Sequence, residues 1–294
     1  MKPIIPTVVA ILLSASSVAF SQVKLTFNPA QKTTYEYSTE LDIDVAQTVM
    51  GQAIPMNQKM KILYQLQVLE RSNESIKIRC TYTYMQLSSS SPSPMVPKLS
   101  FDSRTPNYKT PMDSMVSVML GNFIGKSYVV EMSPTGAVQS IAGMKEMLGS
   151  VSQNNPMLAY MTQMFSDDAL KQSLEQSFRI YPETPVNIGD SWDVKQAIGM
   201  NGMSVDNLST YTLKDVKDGV ATLDILSKMD YQLTTPMEGT LRGSTSGSMD
   251  VDLKTGLPKQ SLSAMKMSGK FSAQGMEIEN ETTAKTKISV VEMK

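Results

Sequence analysis

Twenty-four of the 294 residues are methionine, and none is histidine. A thioether side chain can do three kinds of work. It fills cores, it lines apolar surfaces that must adapt to varied ligands, and it binds soft metals such as Cu(I). Three groups recur at helical spacing: Met112, Met115 and Met119; Met144 and Met147; Met157, Met161 and Met164. That spacing places each group on one face of a helix. Met112, Met115, Met119, Met144, Met157, Met161 and Met164 are therefore candidates to line an apolar ligand site. Ordinary core filling is the plainer account of them, and copper binding is the third. Met265 and Met267 are no argument for a metal, because alternate positions of any strand share a face.

The other side chains offer little chemistry. Without histidine there is no Ser-His-Asp or Cys-His catalysis, no histidine-ligated zinc and no imidazole pH switch. Cys80 is the single cysteine, so no intramolecular disulfide forms. It alternates with Ile76, Ile78, Tyr82 and Tyr84, which reads as a small apolar residue on a buried strand face. Asp167 and Asp168 suit the first turn of a helix. Glu277, Glu279 and Glu281 share the polar parity of a strand, and Asp190 fits a side-chain turn bond. No glycine-rich phosphate loop is present. No catalytic residue, metal site or cofactor is assigned, and a non-enzyme ranks ahead of an enzyme, which stays open as the last alternative beside a soft-metal binder.

Composition and the N-terminus supply the compartment. Lys2 is the one charge before Lys24, and an apolar stretch runs from Ile4 to Phe20. Ala19-Phe20-Ser21 then has the small residues of a cleavage site, so residues 1–21 read as a secretory signal peptide. The expectation is a periplasmic or secreted protein without a transmembrane anchor. Residues 22–294 hold 26 basic and 28 acidic side chains with no basic stripe, which argues against nucleic acid as a partner.

The elements that must carry these residues are mainly strands. Period-two alternation runs through 32–48, 56–70, 75–87, 123–132, 137–141, 191–199, 204–217, 219–232, 240–253, 258–269 and 275–291. The serine- and proline-rich stretch 88–97 breaks it, and a short helix follows from Met112 to Leu120. Residues 142–180 switch to helical period, and the last helix carries an apolar stripe of Leu170, Leu174 and Phe178.

One pattern occurs twice. VEMSPTGAVQSI at 130–141 resembles VDLKTGLPKQSL at 251–262. YQLQVLERSNESIKI at 64–78 resembles YTLKDVKDGVATLDI at 211–225, and Trp192 stands where Tyr35 stands. Three elements recurring in one order indicate an internal duplication. The expected fold is mainly β (α+β): one large curved antiparallel sheet or half-barrel of ten or eleven strands. Two similar meanders build it, and short amphipathic helices cover its concave face. Residues 22–141 form the first β half, 142–180 the helical cap and 181–294 the second half, as one continuous domain.

The run of Phe101-Asp102-Ser103, SYVVEMSPTGAVQSIAG, YPETPVNIGDSW and KTGLP resembles an uncharacterised family of exported Gram-negative bacterial proteins, a domain of unknown function. That resemblance brings no activity with it. The wider element order is similar to the half-barrels of periplasmic lipoprotein carriers, which implies a cavity for acyl chains. The expected function is a non-enzymatic envelope protein that binds a lipid or other apolar ligand between sheet and methionine-rich helices. The alternatives are an envelope protein that docks a protein partner without a small ligand, and a Cu(I) binder.

Overall fold

In the computed structural model, which describes residues 22–94, 96, 98–106, 108–144, 167–200 and 202–294, the alternating stretches are strands. The first half holds β1 (Thr34–Val49), β2 (Gln52–Arg71), β3 (Ile76–Ser90), β4 (Leu99–Asp102), α1 (Pro111–Gly121), β5 (Ser127–Met132) and β6 (Val138–Ala142). Then come α2 (Asp167–Phe178), β7 (Ser191–Met200), β8 (Met203–Lys217), β9 (Val220–Leu233), β10 (Met237–Asp252), β11 (Pro258–Ala273) and β12 (Met276–Glu292). Residues 1–21, read as a signal peptide, lie outside the described residues, as do Met157, Met161 and Met164.

The strands form a single antiparallel sheet of twelve, ordered β6-β5-β3-β2-β1-β12-β11-β10-β9-β8-β7, with β4 pairing β3 off this path. The two halves repeat one plan. The series β1-β2-β3-β5-β6 and β7-β8-β9-β10-β11 each run through the sheet in sequence order and in the same direction. β12 joins them by pairing β1, from Tyr35 opposite Glu292 to Val49 opposite Ile278. The first half is longer because β4 and α1 are inserted between β3 and β5. Thr110 caps α1, its hydroxyl accepting from the Asp113 backbone N–H at 3.0 Å, and Pro111 begins the first turn.

The sheet is strongly curled. Laid flat, its eleven consecutive strands would hold β6 and β7 about 48 Å apart. Yet α2 touches both. The β6 amide of Val138 donates to the Glu175 carboxylate at 3.1 Å, and the β7 side chain of Gln196 donates to the Glu175 carbonyl at 2.9 Å. One helical residue thus binds the two edges of the sheet, and α2 occupies the gap between them. The helix covers what would otherwise be open hydrogen-bonding edges.

The two copies of the Thr-Gly turn explain each other. The turn at Gly136 presses on the end of α2, and the turn at Gly256 presses on the N-terminal segment 22–33. A Cβ on Gly136 would lie 1.8 Å from the Phe178 carbonyl oxygen, and one on Gly256 would lie 2.0 Å from that of Thr26. Hydrogen bonds lace the same contacts. The Phe27 amide donates to Pro134, the Asn28 amide donates to Thr255, and the Tyr181 hydroxyl donates to Gly256 at 2.7 Å. Val23 and Val186 form an antiparallel bridge. The segment leading into each half is thus pinned by the turn of the other half, and together they plug the lower end of the curled sheet.

Above this plug lies an aromatic core. Tyr37 stacks on Tyr64 with ring centroids 4.7 Å apart, and Tyr64, Tyr82, Tyr128 and Phe123 continue the chain at about 6 Å spacing. Phe27 and Phe178 meet at 5.3 Å, so the N-terminal segment and α2 join this core. The stripe Leu170, Leu174 and Phe178 is buried as its period requires.

Cys80 is buried in the same core, on the face of Ile76, Ile78 and Tyr82. Burial pushes its thiol up to about 12. The expected result is negligible labelling by a thiol reagent under native conditions and full labelling after unfolding. Rapid native labelling would contradict this placement.

Tyr84 differs from the alternation that places it beside Cys80. The register of β2 and β3 shifts between Leu63 and Tyr64, where Tyr82 and Tyr84 oppose two successive residues. This bulge turns Tyr84 to the outer face. There its hydroxyl donates to Asp102 at 3.1 Å, and Arg104 lies 4.4 Å over its ring.

Candidate functional site

The inner face of the sheet is the parity of Tyr35 and Tyr37 on β1. Register carries that parity to Met60 and Met56 on β2, Thr286 and Ala284 on β12, and Met265 and Met267 on β11. Its lower part is filled by the plug and the aromatic core. Its upper part is different. Leu41, Ile43, Val45, Met60, Met267 and Phe271 face inward but stay partly exposed, whereas Tyr35, Tyr37, Leu66 and Val68 below them are buried. An inward apolar surface that stays accessible is what a ligand site for an apolar molecule needs.

The opposite wall of the upper inner face is lower and more polar. β10 presents Gly239, Gly243 and Gly247 inward, alternating with Leu241, Thr245 and Met249. Gly243 sits against Met229 and Met267, where an added Cβ would come within 3.3 Å of the Met229 methyl. On β7 and β8, Asn207 donates to Gln196 at 3.2 Å, and Ser209 and Ser227 share a hydrogen bond of 2.8 Å. Two buried acceptors, Asn207 Oδ1 and Gln172 Oε1, have no donor among the described residues. Both lie on the seam between α2 and β7–β8, where Gln172 also donates to the Gly199 carbonyl at 3.2 Å.

The methionines singled out by helical spacing are placed as follows. Met112, Met115 and Met119 are half-buried on α1, with Met112 packed against the core, and α1 itself lies on β4. Met144 is 1% exposed and belongs to the core cluster. Met157, Met161 and Met164 lie outside the described residues. Among the described residues, methionines that reach the open inner face are on strands and include Met56, Met60, Met265 and Met267. Their signal was the same alternation that marked the strands, with Met56 and Met60 in phase with Ile62 and Tyr64.

These features define a class of architecture, a curled antiparallel sheet whose edges are bridged by a helix and whose inner face is apolar and open at one end. The chain belongs to the family of unknown function DUF6263, whose profile matches residues 73–258. No curated protein matches it. Among solved structures it is similar to lipovitellin, in a structure concerned with lipid–protein interactions, at 11% identity and a TM-score of 0.50. That likeness covers 90% of this chain and 25% of lipovitellin, so the chain spans about a quarter of lipovitellin's length. The β domain of the Bordetella autotransporter BrkA matches at 7% identity and a TM-score of 0.34, covering 88% of this chain and 99% of that one. An outer-membrane channel from Pseudomonas putida F1 matches at 7% identity and a TM-score of 0.24, covering 89% and 96%. Lipovitellin alone of the three bears on the fold. Among the described residues, no helix is long and apolar enough to cross a membrane.

Proposed function

We propose that this protein is exported and carries one lipid or other apolar ligand against the upper inner face of its sheet, without catalysing a reaction. The observation that supports this reading is the contrast on one face. Inward apolar side chains are buried below and accessible above, from Leu41 to Val45 on β1 and across to Met267 and Phe271 on β11. The methionines of α1 and of residues 144–164 enter the proposal as adaptable neighbours of the bound chain. Unbranched thioethers accommodate varied shapes without fixed voids. The lipid concern of the lipovitellin structure points the same way. Without histidine, Ser-His-Asp and Cys-His catalysis are not available to the chain.

The test is a fluorescent fatty-acid probe titrated into residues 22–294, with competing acids of increasing chain length. Each methylene taken from water contributes about 0.8 kcal/mol, so affinity should rise roughly fourfold per added carbon until the face is covered. Replacing Met60 and Met267 by Gln together should weaken binding at least about tenfold, because polar amides then line the chain. No binding of any apolar probe, or affinity independent of chain length, would remove the carrier reading.

A further inference from the structure

The outer face of the sheet carries a second feature. A groove of about 680 Å³ runs across β3, β2, β1, β12, β11 and β10, lined mainly by their polar parity, with Leu41, Met60, Ser263 and Thr286 of the inner parity also among its lining. Its floor is low because the outward residues there are small. Ser244, Ser246 and Ser248 form the outward column of β10, and Ala264 continues it on β11. Register puts one row side by side across the sheet: Leu226, Ser246, Ala264, Lys285, Asp42 and Lys59. The next row carries Leu262, Lys287, Glu40 and Lys61.

The charges in these rows do not balance. Lys59 pairs with Asp42 at 3.5 Å and Lys61 pairs with Glu40 at 2.7 Å. Lys285 and Lys287 stand on the other flank of the same two carboxylates and make no ion pair with a described residue. Both are exposed, and so is Lys266 on the neighbouring strand. Four lysines thus face two carboxylates, leaving two positive charges beside a serine-lined floor. The carboxyl of Glu40 is held below its ordinary range by its hydrogen bond to Lys61, then by the charges of Lys61 and Lys287, so it stays ionised and spoken for. Opposite Lys287 stands an exposed leucine, Leu262 at 47% exposure, and it lines the groove. Cations without an ion pair, a hydroxyl donor and an exposed leucine in one concavity match an anion joined to a hydrocarbon.

We infer that this groove is a separate binding site for the phosphate-bearing headgroup of a lipid, with Lys285 and Lys287 facing the anion, Ser246 offering a hydroxyl and Leu262 meeting the first methylenes. An acidic peptide would satisfy the lysines but would leave the leucine exposed. The residues that carry this inference, Lys285, Lys287, Ser246 and Leu262, all lie on the outer parity, although Leu41, Met60 and Thr286 of the inner parity also line the groove.

The experiment uses residues 22–294 and sedimentation with vesicles of phosphatidylglycerol in phosphatidylcholine, against vesicles of phosphatidylcholine alone. Binding should require the anionic lipid and weaken with added salt. The double variant Lys285→Gln, Lys287→Gln should bind roughly tenfold or more weakly, as two basic side chains at an anionic surface imply. Leu262→Ser should weaken binding a further severalfold, while Lys77→Gln, a lysine paired with Glu70 near the opposite end of β3, should change nothing. If inorganic phosphate alone displaces the protein from vesicles and protects Lys285 and Lys287 from acylation, the anion recognised is phosphate and the natural source is the free ion. Equal vesicle binding by the double variant and the wild type would overturn the site. So would absence of binding to both vesicles and phosphate, or displacement by polyglutamate at lower concentration than by short-chain phosphatidylglycerol. An uncharged fluorescent apolar probe, which has no anion for the lysines, should bind the double variant as it binds the wild type, which separates the two sites.

Discussion

Replacing Gly136 by Ala should destabilise the protein by about 3 kcal/mol or more, and Gly256→Ala should do the same. Two effects add. Both glycines have left-handed backbones, φ 80° and 73°, where a Cβ costs roughly 1–2 kcal/mol. Both also leave no room for that atom. The Cβ of residue 136 would meet the backbone of Phe178 and Arg179, and that of residue 256 the backbone of Thr26 and Phe27. Backbone cannot rotate away as a flexible side chain can, so the plug must move, and forced overpacking costs a further 1–3 kcal/mol or so. Gly275→Ala is the control. It has the same backbone hand, φ 78°, but nothing within 4 Å of the new atom, so only the first cost applies. Urea unfolding of the three variants checks this. Equal losses at all three positions would show that the turns do not hold the plug.

A steep loss of stability above pH 10 is the second large effect. The core holds phenols whose protons are retained by burial. Tyr82 and Tyr211 are pushed up to about 12, and Tyr37, Tyr64, Tyr128 and Tyr181 are also raised, each chiefly because burial penalises the phenolate. Cys80 behaves alike, raised to about 12 by the same cause. The sign follows from proton counting. Below the ordinary phenol value near 10 both folded and unfolded chains hold these protons, so pH has no leverage through them. Above it the unfolded chain releases protons that the folded chain retains, and stability falls as pH rises. Each such group contributes about 1.4 kcal/mol per pH unit. Several together exceed a typical total stability of roughly 5–15 kcal/mol within one to two units. Circular dichroism and phenolate absorbance followed together should show one cooperative transition between about pH 10.5 and 12. Native structure persisting past that range, or the phenols of the core ionising while the structure is intact, would contradict the buried tyrosine core.

Much of this architecture was legible in local pattern. Alternation over 56–70 and 258–269 is strand because successive side chains point to opposite faces of a sheet, a rule that needs no knowledge of partners. Leu170, Leu174 and Phe178 marked the buried face of α2, and the twin Thr-Gly turns marked the duplication. What escaped depends on distance or on single-residue irregularities. β4 is four residues long, too short to show a period. Tyr84 sat in perfect alternation, and only the bulge against β2 turns it outward. No local signal joins β1 to β12 or brings α2 to both β6 and β7, because those contacts link segments far apart in sequence. The ligand face suffered most from this. Helical spacing drew attention to methionines on helices, while Met60 and Met267 become neighbours of one open face only through the pairing of β2 with β1, β1 with β12 and β12 with β11. The outer groove is equally non-local, since Lys59 and Lys285 come from opposite ends of the chain.

Native mass spectrometry of residues 22–294, purified without delipidation, tests the carrier reading most directly. The account predicts a species heavier than the polypeptide by the mass of one acyl-chain lipid. It should be lost on organic extraction and restored by incubation with a fatty acid, and restoration should be impaired in the Met60→Gln, Met267→Gln variant. Only the bare polypeptide mass, before extraction and after incubation with excess fatty acid alike, would contradict it.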